Sequence, residues 1–175
     1  MAAHWAERFG LTLLLIAVSA FGFLSIDGRL ADAAPEPVAL ASALDAYIPF
    51  VPEFVFAYLL YYVWLLLPAA FLRTRAAFYR GFAAFVVMQV CAAVTFLAFP
   101  SRMLRPTVTA QDLASDLVRA VYTVDQGWNL FPSLHVAHSV LIALLAWAYS
   151  RRVFPLVALG TALISASTLL IKQHY

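Results

Sequence analysis
Cysteine is almost missing from this chain. Cys91 is the single one among 175 residues, so no internal disulfide can form. Its apolar neighbours predict a buried, inert thiol. Charge is equally scarce, at 11% of residues, where soluble domains carry about 25%. With 65% hydrophobic residues and a mean hydropathy of +0.88, the composition predicts an integral membrane protein. A net charge of only +2, dispersed along the chain, excludes nucleic acid as a partner. No internal repeat or low-complexity tract is present, so one membrane domain over residues 1–175 is expected.

What the chain has instead is long apolar runs. A helix needs about 20 apolar residues to cross a bilayer core. Five spans are predicted: Phe9–Ile26, Phe54–Leu72, Gly81–Phe99, Leu134–Tyr149 and Val153–Ile171. The first, within residues 8–26, reads as a span or signal anchor. Arg8 with Ala31-Asp32-Ala33 also resembles a signal peptide and its cleavage site. The fourth is short, and Pro132 and Ser133 suit the N-terminus of its helix. The fold class is therefore all-α, a polytopic transmembrane bundle.

The arginines orient it. Arg73, Arg75 and Arg80 fill the link between spans two and three, and Arg151 and Arg152 that between spans four and five. The positive-inside rule places both links, and the N-terminus with Arg8 and Glu7, in the cytoplasm. The other side then holds Arg29, Arg102, Arg105, Arg119 and Lys172, and every acid except Glu7. Arg105, His135 and His174, none of which entered that assignment, all fall on this non-cytoplasmic face. Two loops lie there. Asp27–Pro52 is rich in Ala, Pro and acid. In the other, Thr109 can cap a helix with Asp112 three residues on, and Leu113, Leu117, Val118 and Val121 form an apolar stripe. That helix lies across the interface or packs on its own bundle.

Polar groups at span ends are the candidates for chemistry. Arg105 offers a fixed cation with donors suited to phosphate oxygens, or snorkels to the interface. Arg102 competes with it. Ser133 caps the fourth helix, whose free N–H groups form an anion site. His135 can donate a proton to a leaving oxygen, or simply hydrogen-bond at the interface. His138, one turn deeper, reads as a supporting or structural residue. His174 can attack phosphorus and Lys172 can pair with phosphate, though such residues also serve as span anchors. His135 and His138 are spaced as a metal pair can be, but no Cys, Asp or Glu partner lies nearby in sequence, so no metal is expected.

Taken together, these elements resemble the type 2 phosphatidic acid phosphatase superfamily. Its pattern is an Arg-Pro element, then PSGH, then SRxxxxxHxxxD, on a six-helix core. Arg105-Pro106 matches the first. Pro132-Ser133-Leu134-His135 matches the second with Leu for Gly. Ser167-Thr168 and His174 match the third with Thr for Arg. FPSLH with KQHY looks closest to the branch of inositol phosphorylceramide synthases and related bacterial proteins. The resemblance covers about residues 54–175. It implies a core with five of six helices visible, C-terminally incomplete, because the family's last Asp would stand at position 178.

The resemblance implies a lipid-phosphate phosphatase or phosphotransferase with no cofactor. His174 would be the nucleophile and His135 the acid and base. Arg105, Ser133 and Lys172 would hold phosphate oxygens, with His138, Arg102 and Gln173 in support. The partner is a lipid phosphate within the bilayer. The rival expectation is a catalytically silent membrane scaffold with the same core. It draws on Thr168 and the missing Asp, and is opposed by the intact Arg105, His135 and His174.

Overall fold
A computed structural model describes residues 2–38 and 40–174, and these are all-helical, with no strand among them. The order is α1 (Ala2–Ala33), α2 (Val55–Trp64), α3 (Leu67–Phe71), α4 (Arg75–Ala98), α5 (Leu113–Val124), α6 (Leu134–Tyr149) and α7 (Phe154–Leu170), with 3₁₀ turns at Ala43–Ala46 and Pro52–Phe54. Two helical stretches, His4–Ala33 and Arg75–Ala98, are long and apolar enough to cross a membrane. Shorter apolar helices cover Leu134–Tyr149 and Phe154–Leu170.

The predicted fourth span coincides with α6, where the Ser133 hydroxyl accepts from the Val136 N–H at 3.4 Å. Elsewhere the boundaries move. α1 runs through Asp27 to Ala33, so the first loop begins at Ala34, and Ala31-Asp32-Ala33 closes the helix rather than following it. The predicted second span is broken into α2 and α3. Pro68 has no N–H to offer the Trp64 carbonyl, so the ladder cannot run through and turns over Leu65-Leu66. α4 starts six residues before the predicted Gly81, at Arg75, because Thr74 caps it by accepting from Ala77 N–H at 3.2 Å. Asp112, not Thr109, caps α5, accepting from Ser115 N–H at 2.9 Å. That bond holds the Asp112 carboxyl below its usual range. Leu113 is exposed and Ser115 buried, so the buried stripe of α5 is rotated from the predicted one, although Val118 is in it. Cys91 is exposed on α4 rather than buried. An α4 apolar all around gives no stripe from which its inner face could be read.

The bundle packs α7 against α6 and α2, α4 against α6, and α1 against α4 and α3. Its main core joins Trp64, Phe78, Phe85, Ile142 and Ile164. A second cluster, Val55, Tyr58, Ala114, Val118 and Ile171, seats α5 across the other end. α1 is fastened at its start: Arg8 donates to the Leu72 carbonyl at 2.6 Å, and Glu7 accepts from Tyr79 and pairs with Arg75. All of this lies at the arginine-rich end.

α7 approaches α2 closely at Gly160. A Cβ added at Gly160 would stand 2.0 Å from Cζ2 of Trp64. The indole cannot yield as a flexible chain end would. Gly160→Ala is expected to destabilise the bundle by about 1–3 kcal/mol, read as thermal unfolding in detergent. Trp64→Leu in the same chain should recover much of that loss.

Candidate functional site
The end opposite the arginines is organised by one irregular segment, residues 125–130. Almost every polar group along it is held by a distant element. Asp27, buried near the end of α1, accepts from the backbone N–H of Gln126 at 2.8 Å and of Trp128 at 3.0 Å. The Asn129 amide donates to the Phe23 carbonyl, and Leu130 N–H to the Ser101 hydroxyl. Met103 N–H donates to the Gly127 carbonyl.

Asp125 is the hub. Its Oδ1 takes Arg105 Nη2 at 2.8 Å and the Gly127 N–H at 2.8 Å, and its Oδ2 takes Gln173 Nε2 at 2.5 Å. Arg105 also donates to the carbonyls of Asp125 and Tyr122 and lies over the Tyr122 ring. Burial pushes the Tyr122 hydroxyl up to about 12. Gly127 sits at φ +84°, and a Cβ there would meet the Arg105 guanidinium only at an ordinary contact distance of 3.4 Å, so it is the turn that calls for glycine.

His174 follows α7 on a turn. Gln173 and His174 both donate backbone N–H to the Thr168 carbonyl, at 2.9 and 3.1 Å, and Lys172 occupies the left-handed region at φ +52°. The imidazole Nδ1 lies 3.1 Å from the Leu130 carbonyl. A carbonyl only accepts, so Nδ1 carries the proton and Nε2 carries the lone pair. Nε2 has no partner among the described residues. Burial holds the His174 imidazole below its ordinary range, and the nearby Asp125 carboxylate offsets this only in part.

His135 sits in the first turn of α6, stacked on Tyr58 at 4.2 Å and tilted against Tyr61 at 4.1 Å between ring centroids. Both its nitrogens are buried and unpartnered among the described residues. Its ring centroid lies 5.7 Å from that of His174. His138, one turn deeper, is paired through Nδ1 with the Tyr61 hydroxyl at 2.6 Å. Both rings of the pair open on a cavity of about 360 Å³, mainly apolar, that runs along α1.

Three expected site residues are placed differently. Lys172 turns away, donating from Nζ to the carbonyls of Asp45 and Ile48 at 3.0 and 2.6 Å. It pins the first loop rather than facing the histidines, whereas Gln173, the next residue, is buried and turned to Asp125. Arg105 is tied to Asp125 and reaches His174 only through that carboxylate and Gln173. Arg102 is exposed, over the Trp128 ring at 5.4 Å. No group of three metal-binding side chains occurs among the described residues. The position of Lys172 yields a direct expectation. Lys172→Gly, which suits φ > 0, should lower the melting temperature in detergent through the lost carbonyl contacts.

Asp125 and Asp27 were not picked out from the sequence as site residues. The Asp-x-Gly turn signal at 125–127 was available for the first. For Asp27 the only signal was an acid at the end of an apolar run. Among known proteins, no family model, no curated protein and no solved structure matches the chain.

Proposed function
We propose that this chain is a five-span membrane protein that cleaves or transfers the phosphoryl group of a lipid phosphate through a phosphohistidine on His174. The observation that carries the reading is the pair of buried histidine rings, 5.7 Å apart, with unpartnered nitrogens at the head of an apolar cavity. Buried polar nitrogens are costly unless something polar meets them. A phosphate head group on an apolar tail has that shape. The same observation supports the family resemblance, to the type 2 phosphatidic acid phosphatases and their inositol phosphorylceramide synthase-like branch.

The topology follows the charges. Arg8, Arg73, Arg75, Arg80, Arg151 and Arg152 would lie in the cytoplasm and the histidine end outside, in the cytoplasmic membrane. α2 and α3 together form the second crossing, kinked at Pro68.

In the first step the Nε2 lone pair of His174 attacks phosphorus and the P–O bond to the lipid breaks. The departing alcohol takes a proton from His135. In the second step His135 removes a proton from water or an acceptor alcohol, whose oxygen attacks phosphorus. The P–N bond breaks and His174 is restored. The N–H groups at the start of α6, ahead of the Val136 N–H that Ser133 takes, would meet equatorial oxygens. The Leu130 carbonyl fixes the tautomer of His174, a task the family gives to its last Asp. Asp125 and Arg105 hold the segment that carries that carbonyl.

A silent scaffold is the second reading. It is favoured by one observation: both cations expected at the phosphate are occupied by protein groups, Arg105 by Asp125 and Lys172 by two carbonyls. The purified protein in detergent, given a panel of lipid phosphates, separates the two readings. Phosphate release lost in both His135→Ala and His174→Ala is the result expected of the enzyme. No release or transfer from any lipid, with an alcohol acceptor supplied, would leave the scaffold. The enzyme's acid limb should also lie below 6.5, the ordinary histidine value, because neutral His174 is the nucleophile and its imidazole is held low. An acid limb that lies above that pH would count against His174 as the attacking group.

A further inference from the structure
The cavity defines which part of the lipid the protein measures. Along α1, residues Thr12, Leu15, Ile16, Ser19, Ala20 and Phe23 present one helical face to it. α1 packs mainly on α4 and α3, with Phe23 and Ile26 near its end also against the cluster of Ala92, Phe96 and Leu134, and is fastened at its two ends, by Arg8 to Leu72 and by Asp27 to the 126–128 backbone. Its middle stands off from α2, α5 and α6, and the cavity fills that gap. The head of the cavity is His135 and His174, and its floor is Leu72, Phe78 and Gly81. Gly81 is closely packed there: a Cβ on it would stand 3.0 Å from a Leu72 Cδ and 3.2 Å from a Leu145 Cδ.

Its depth sets the length of chain it can hold. From Thr12 to Phe23, α1 rises about 17 Å at 1.5 Å per residue. That is close to one leaflet, half of a hydrocarbon core about 30 Å thick. Its volume is about 360 Å³, and its lining is mainly apolar.

We propose that the cavity takes an alkyl chain of the substrate, and that the floor at Leu72, Phe78 and Gly81 sets the chain length the site prefers, about twelve to fourteen carbons for a depth of about 17 Å. The phosphate at the head of this chain rests on the two-histidine reading; the chain-length preference does not.

The test uses n-alkyl phosphates from six to eighteen carbons with the protein in amphipol. Hydrolysis is measured with the unmodified chain, and binding with His174→Gln, which should bind without turning over. Affinity should climb by up to roughly fourfold per methylene until the cavity is full, then level off or fall. Ser19→Trp, at mid-depth, should move the optimum several carbons shorter while leaving the shortest phosphates unaffected. Leu15→Trp, one turn deeper, should move it less, and it serves if the first variant does not fold. Equal affinity across all lengths, or an optimum that neither tryptophan moves, would overturn the tail cavity even if phosphate were released. Length-dependent binding with no hydrolysis of any member would keep the tail cavity and remove the phosphatase reading.

Discussion

Replacing His174 with glutamine is expected to reduce phosphate release by about 10⁴ or more, the scale of losing a nucleophile. Glutamine can still donate toward the Leu130 carbonyl, so the fold should persist and the loss should be chemical. His135→Ala is expected to behave differently in a way that assigns its role. With a lipid phosphate the leaving alkoxide needs a proton, and losing the general acid should cost roughly 10²–10⁴. With an aryl phosphate, whose leaving group departs unprotonated, the first step should survive. The second step still needs a base, so the phosphoenzyme should accumulate, with acid-labile, base-stable phosphate on His174. Equal losses with both leaving groups, and no trapped phosphoenzyme, would take the acid's role away from His135.

Asp125→Ala should produce the largest loss of stability. The carboxylate and its arginine are each only 11% exposed. Removing one member of a buried pair leaves the other charged and unmatched, at a cost of about 3–5 kcal/mol. The same change frees the Gly127 N–H and the Gln173 amide, so the cost should not fall below that range. Asp125→Asn should be milder, since it retains an acceptor oxygen, yet Arg105 would still lack a counter-charge. Replacing both partners with apolar residues, Arg105→Met with Asp125→Leu, should recover part of the stability and none of the activity. Thermal unfolding in detergent with phosphate release on the same samples checks this. An Asp125→Ala protein as stable as the parent would show that the hub contributes nothing to the fold.

The sequence made some of this legible and not the rest, for physical reasons. α6 was readable to the residue because Ser133 caps it and its apolar run is short and bounded. The break at Pro68 was within reach of backbone chemistry alone, but the apolar run through it hid the interruption. His135 and His174 could be brought to one end by counting crossings. Their environment could not. Asp27 meets Trp128 across 101 residues and Arg105 meets Asp125 across 20, and no local pattern encodes such pairings. Lys172 illustrates the reverse error. Its charge next to a histidine suggested phosphate, whereas in the fold it donates to two loop carbonyls.

The 125–130 segment also bears on the order in which the protein is built. It has no regular structure of its own, and its hydrogen bonds are borrowed from α1, from the stretch after α4, and from the turn after α7. Helices inserted during synthesis are available early, and the turn bearing His174 is the last of these to arrive. Until it docks, the Gln173 bond to Asp125 and the Leu130 contact to His174 are both unmade. The segment is therefore fastened first by the earlier elements, and its bonds to Gln173 and His174 close last.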